Sequence, residues 1–226
     1  MRSRNPWRCN KLKAYFISGL GADKKAFQKI KLPTAYEPVY LDWIPPQKNE
    51  SLSNYARRFS SLIKNDDAFI LIGLSFGGML ASEIARLRNP MKTIIISSLA
   101  SSNELPWYFK SAGRVGLHKA IPIKFLKAGS MLKNFMGVRS KEDKAIIYHY
   151  AKTANPELVR WSIDAIVNWN QPDRLPGIVH LHGSNDRMLP LKYTRPDFVI
   201  KGGSHLMIFN KADEVNKILN EVLSIN

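Results

Sequence analysis

A single cysteine, Cys9, stands in 226 residues, so no intrachain disulfide can form and a disulfide-stapled scaffold is excluded. A lone thiol suits a reducing compartment, and a cytoplasmic location is expected. Long hydrophobic runs are missing as well: no stretch approaches the roughly 18 to 20 apolar residues that span a bilayer. A soluble or at most peripheral protein is therefore expected. The segment Met1 to Lys13 holds five basic residues and no acidic one, yet it lacks the apolar core of a secretory signal and reads as a flexible arm. Acidic residues are scarce throughout. With 34 Lys+Arg against 18 Asp+Glu the net charge is +16, a balance that invites a polyanion or an anionic membrane as partner.

The remaining composition is ordinary. A hydrophobic fraction of 45% with 23% charged residues sets aside intrinsic disorder and fibrous classes. The length suits one globular domain over residues 1–226, with room for an insertion. There is no internal repeat and no low-complexity tract.

Short apolar runs alternate with longer amphipathic stretches, the rhythm of βα units around a parallel sheet. The expected strands are Ala14 to Ile17, Pro38 to Leu41, Phe69 to Leu74, Thr93 to Ile96, Ile178 to Leu181 and Phe198 to Ile200. Several are apolar at successive positions, as strands covered on both faces should be. One helical stripe runs through Leu52, Tyr55, Ala56, Phe59, Leu62 and Ile63 behind a Ser51 N-cap. Another runs through Val215, Ile218, Leu219 and Val222. The rhythm breaks over residues 102–173, where Pro- and Gly-punctuated helical patterns contain no convincing strand. A segment that long is not a simple loop, so a helical cap inserted over one end of the sheet is expected. The fold class is α/β: a mostly parallel sheet of about six strands, with helices on both faces and this cap.

Gly73-Leu74-Ser75-Phe76-Gly77 matches G-x-S-x-G at the junction of an apolar strand and a helical stretch. There a sharp turn presents a serine at the sheet edge, and small residues on either side let strand and helix approach. A serine hydroxyl is a weak nucleophile without a base and an orienting acid. Of five histidines, His118 and His149 fall in the insertion, and His180 and His182 lie on or just after a strand. His205, in the Gly-rich loop Lys201 to Leu206 beyond the last strand, is placed to reach Ser75. His180-x-His182 has the spacing of a metal pair, but no third ligand is evident and no metal is expected. Asp186, after the next-to-last strand, is the expected acid, with Glu104 a weaker alternative. Pre-placed N–H donors must also hold a developing oxyanion. Phe76, directly after the nucleophile, offers one, and Leu20 in the loop after the first strand offers the other.

These stretches together resemble the α/β-hydrolase superfamily over nearly the whole chain. The resemblance rests on the first glycine loop, the elbow at Ser75, His182-Gly183-x-x-Asp186-x-x-x-Pro190 and Gly202-Gly203-x-His205. It implies strand order 2-1-3-4-5-6, a cap after the fourth strand, and hydrolysis of esters or related bonds with no cofactor. The sequence departs from the family in that only a short segment precedes the first expected strand, so the family's usual leading hairpin is not expected. Ser18-Gly19 stands where the family commonly has His-Gly. The implied reaction is cleavage of a carboxylic ester or thioester through Ser75, His205 and Asp186 and an acyl-enzyme. An acyltransferase or lyase on the same scaffold, or a non-catalytic lipid- or anion-binding protein, are the alternatives.

Half of the excess charge lies in the insertion: from Pro106 through Lys152 ten basic residues face two acidic ones, and aromatic and aliphatic residues are interleaved with them. A small-molecule ester is the expected substrate. Attraction of an anionic lipid or membrane surface to this basic cap is a further expectation, whereas a nucleic-acid partner is not expected, since no binding motif accompanies the charge.

Overall fold

The computed structural model describes residues 11–64, 68–114, 116, 136–137 and 140–224. Six strands form one parallel sheet: β1 (Leu12–Ile17), β2 (Tyr36–Leu41), β3 (Phe69–Leu74), β4 (Lys92–Ile96), β5 (Ile178–Gly183) and β6 (Phe198–Ile200). Their order is β2-β1-β3-β4-β5-β6, with every neighbouring pair parallel. This is the architecture expected from the sequence, although β1, β2, β4 and β5 each run one or two residues further than the apolar runs suggested. β2 lies at an edge, which is why Pro38 is tolerated there without an N–H to give a second neighbour.

The continuous apolar runs of the inner strands arise because successive side chains feed two cores. Ala14, Phe16, Ile70, Ile72, Ile94, Ile96 and Leu181 point to one face, where α7 (Ala212–Ser224) packs with Val215, Leu219 and Val222. Tyr15, Ile17 and Leu71 point to the other, against α1 (Leu52–Phe59) and α2 (Phe76–Arg88). The Ser51 cap is present: its side chain accepts from the backbone N–H of Asn54 at 3.2 Å. α2 stops where Asn89 turns left-handed at φ 45°, the usual end of a helix that lacks a C-terminal glycine.

Between β4 and β5 the described residues form α3 (Trp107–Arg114), α4 (Lys141–Thr153) and α5 (Pro156–Val167), and a short α6 (Met207–Asn210) precedes α7. α5 is the deeply seated member. Its Trp161 packs on Tyr55 with ring centroids 4.2 Å apart and donates its indole N–H to the Glu50 carbonyl at 2.8 Å. Asn155 caps it by accepting from the N–H groups of Glu157 and Leu158, with Pro156 in the first turn. Much of the expected basic cap, including Lys119, Lys124, Lys127, Lys133 and Arg139, lies outside the described residues, as do the arm up to Asn10, Cys9 and His118.

Candidate active site

The turn from β3 into α2 is made by Ser75 itself, at φ 52° and ψ −122°. Such a backbone is costly for a residue with a Cβ, and it holds only because the surroundings over-determine it. The Ser75 N–H donates to the Ile96 carbonyl at 2.9 Å. The Ser75 carbonyl accepts from Ser98 Oγ at 2.7 Å and from the Gly78 N–H at 2.8 Å. The flanking glycines are steric requirements: a Cβ on Gly77 would run into the carbonyl oxygens of Ile17 and Ser18. Strand β1, strand β3 and the start of α2 therefore meet backbone to backbone at this point.

The expected base and acid arrive from separate loops. His205 follows β6, Asp186 follows β5, and the two loops are pinned to one another. Asn185 N–H donates to the Gly203 carbonyl at 2.8 Å, and Ser184 N–H to the Ile200 carbonyl at 3.0 Å. With the loops so fixed, Ser75 Oγ lies 2.9 Å from His205 Nε2, and His205 Nδ1 lies 2.8 Å from Asp186 Oδ2. The structure thus brings Ser75, His205 and Asp186 into one hydrogen-bonded series across 130 residues of sequence. His205 and Asp186 are buried, whereas Ser75 is partly open.

A family model of the alpha/beta hydrolase family matches residues 15–218. The chain belongs to the alpha/beta hydrolase family. That membership places it among enzymes of the hydrolase class. Among curated proteins none matches in sequence, but solved structures do match in fold. A hydrolase from Oleispira antarctica superposes with a TM-score of 0.72 at 12% identity, covering 96% of this chain and 92% of the other. A thermophilic esterase from Thermogutta terrifontis gives 0.67 at 16% identity, with 94% and 89% covered. A bromoperoxidase from Bacillus anthracis gives 0.65 at 17%, with 95% and 92% covered. At such identities the likeness is one of fold.

The surroundings of Asp186 favour its anion. Burial works to raise the Asp186 pKa, but attraction to the His205 ring and its hydrogen bond, with the Leu189 N–H and His182 behind them, outweigh it and hold the carboxyl below its usual range. Glu104, the weaker candidate, has a different task. Its carboxylate accepts from the Ala100 N–H at 2.7 Å and the Arg195 N–H at 3.2 Å, and burial raises its pKa. It ties the loop after β4 to the chain ahead of β6 and makes no contact with His205.

Of the two expected N–H donors, Phe76 directly follows Ser75 and Leu20 stands one residue beyond Gly19. Phe76 is the first residue of α2, where a helix leaves its N–H groups unspent. Leu20 follows Gly19, which lies so close to Ser75 that a Cβ there would sit 3.4 Å from Ser75 Cβ. Ser18 anchors this loop: its Oγ donates to the Ala22 carbonyl at 2.7 Å and accepts from Trp43 Nε1 at 3.1 Å. Trp43 in turn stacks on Phe76 at 5.3 Å and 9°. Neither Trp43 nor Ser98 stands out in the sequence, because both act through tertiary contacts that no local spacing announces.

α3 and α4 border the same region. The Tyr108 phenol is raised by burial and by the neighbouring Tyr193 and Asp186 charges, which puts α3 within electrostatic reach of the acid. From α4, Tyr150 Oη donates to Asp23 Oδ1 at 3.4 Å. His149 on that helix is exposed. The described residues contain no group of three side chains suited to a metal and no helix long and apolar enough to cross a membrane.

Proposed function

We propose that the protein is a serine hydrolase that cleaves a carboxylic ester or thioester of a small molecule in two acyl-transfer steps. The hydrogen-bonded series Ser75, His205, Asp186, built on a serine at positive φ, carries this reading. In the first step Ser75 Oγ attacks the carbonyl carbon while His205 Nε2 takes its proton. Asp186 holds the ring in the tautomer that leaves Nε2 free to accept, and steadies the imidazolium that forms. The N–H groups of Leu20 and Phe76 donate to the tetrahedral oxyanion. His205 then returns the proton to the departing alcohol or thiol, leaving an acyl-serine. In the second step water loses a proton to His205 and attacks the acyl carbon, which releases the acid and restores Ser75. No cofactor enters this sequence.

α3 and α4 are read as part of a cap spanning residues 102–173, a reading supported by the electrostatic influence of Asp186 on Tyr108 and by the hydrogen bond from Tyr150 to Asp23 in the loop after β1. The test is a panel of p-nitrophenyl esters and acyl thioesters of increasing acyl length, run on wild type and on Ser75→Ala. Wild type should turn over at least one member. Ser75→Ala should lose at least about 10³-fold in kcat while keeping the same melting temperature within a few degrees. A wild type that is folded and silent across both bond types would overturn the reading.

A further inference from the structure

Behind Asp186 lies a pair of histidines that the reaction above does not use. His180 and His182 both sit on β5, between β4 and β6, and both are 0% exposed. We propose that His182 is a positioning residue that clamps the Asp186 loop to the sheet by donating its Nε2–H to the Leu189 carbonyl. The inference rests on the serine-hydrolase reading.

The argument begins at the carboxylate. Asp186 Oδ2 faces His205, while Oδ1 accepts from the Met188 N–H at 2.9 Å and the Leu189 N–H at 2.8 Å. The plane of the carboxylate therefore follows the peptide groups of residues 188 and 189, which belong to a loop. The Leu189 residue is held from its other side: its carbonyl lies 2.8 Å from His182 Nε2. One residue is thus gripped twice, at its N–H by Asp186 and at its C=O by an imidazole rooted in the rigid interior of the sheet. The same Nε2 is 3.5 Å from Asp186 Oδ2, too far to compete with the Leu189 carbonyl.

The clamp has a direction. To donate to a carbonyl, His182 must carry its proton on Nε2, so Nδ1 is an acceptor. His180 Nε2 lies 3.1 Å from that Nδ1 and supplies the donor. The backbone of His180 is itself fixed, since its N–H donates to Asp197 Oδ2 at 2.7 Å. Two neutral imidazoles in series thus aim donors at the loop. Burial keeps them neutral: it lowers the pKa of His182, and together with the adjacent His182 ring and the Arg174 guanidinium it pushes His180 down to about 3. Neutrality matters, because a cation so close to Asp186 would satisfy the carboxylate and weaken its hold on the His205 ring. The His-x-His spacing that resembles a metal pair finds its use here, as both nitrogens of His182 are engaged within the protein.

The test compares His182→Met, which keeps bulk but donates nothing, with His182→Gln, whose amide can reach the Leu189 carbonyl. With p-nitrophenyl acetate, His182→Met should lose about 10- to 100-fold in kcat, the range for residues that orient a catalytic ligand, with KM within about twofold. His182→Gln should recover most of that loss. Fluorophosphonate labelling of Ser75 should slow in parallel. Two-bond ¹⁵N–¹H correlation spectra of the wild-type imidazoles give a readout that needs no variant to fold: His182 should be protonated at Nε2. A His182→Met enzyme as fast as wild type, a His182→Gln as slow as His182→Met, or a His182 protonated at Nδ1 would overturn the proposal while leaving the hydrolase reading intact. A wild type that neither hydrolyses the ester nor labels at Ser75 would overturn the hydrolase reading, and the clamp's role with it.

Discussion

Around Ser75 backbone meets backbone. Gly77 sits against the Ile17 and Ser18 carbonyls, Gly183 against Gly203, and the serine is held at φ 52° by the Ile96 carbonyl and Ser98. On α3 side chains meet water: Trp107 leaves 67% of its surface exposed while it edges onto Tyr108 at 5.8 Å. The first region is over-determined, so a small steric change has nowhere to relax. The second is held through Phe109 and the close approach of Gly113 to Val167, while its exposed positions such as Trp107 can vary at little cost to the fold. α5 lies between these extremes, because Trp161 reaches into the sheet-facing core. The backbone around Ser75, at the end of the inner strand β3, is thus fixed, whereas the exposed surface of α3 is free to vary.

Substitutions can break or sharpen that contrast. The largest stability effect is expected between the regions: Trp161→Ala removes the tilted ring contact with Tyr55 and the edge-on contact with Phe76 and should cost about 3–5 kcal/mol in urea unfolding. A cost below about 1 kcal/mol would mean that α5 is not anchored as described. Gly77→Ala should cost about 3 kcal/mol, near the upper end for overpacking, and should also slow ester turnover, because its Cβ has only backbone to push against. An unchanged melting temperature would show that β1 and the elbow are not in such close approach.

A third prediction concerns acid. The His180 imidazole titrates near 6.5 when the chain is unfolded and at about 3 when folded, so between those values the unfolded chain binds a proton that the native state refuses. The stability is fully present above pH 6.5 and drains as pH falls toward about 3, by up to about 1.4 kcal/mol per pH unit. His182 shifts in the same direction and adds to the same limb. His180→Met should flatten that limb in unfolding measured from pH 7 to pH 4, and an unaltered slope would contradict it. The smallest effect is expected at Trp107→Ala: less than about 0.5 kcal/mol in stability, with any kinetic change confined to KM. A large loss of stability there would erase the contrast.

What the sequence revealed follows from the same physics. Ser75, Asp186 and His205 were legible because each sits where glycine punctuation meets the end of an apolar run, and the backbone geometry that presents them leaves that local trace. The strands were legible for a related reason: burial on both faces requires the uninterrupted Ile and Leu of β3 and β4. Their ends were not, since Leu12 and Tyr36 pair in register without belonging to an apolar run. Trp43, Ser98 and the use of His182 were hidden, because each depends on a partner far away in sequence or on a carbonyl that any residue could offer. Charge was the least informative feature. The basic residues of the loops bearing Asp186 and His205, Arg187, Lys192, Arg195 and Lys201, are all exposed, and the +16 balance leaves no mark on the hydrogen-bonded series.

The central claim, that Ser75 is an activated nucleophile, is tested most directly by fluorophosphonate labelling at neutral pH with the modified peptide located by mass spectrometry. The account predicts stoichiometric label on Ser75, none on Ser75→Ala, and labelling slowed by at least about 10²-fold in His205→Ala. A folded wild type that stays unlabelled, or that carries the label on another residue, would contradict it.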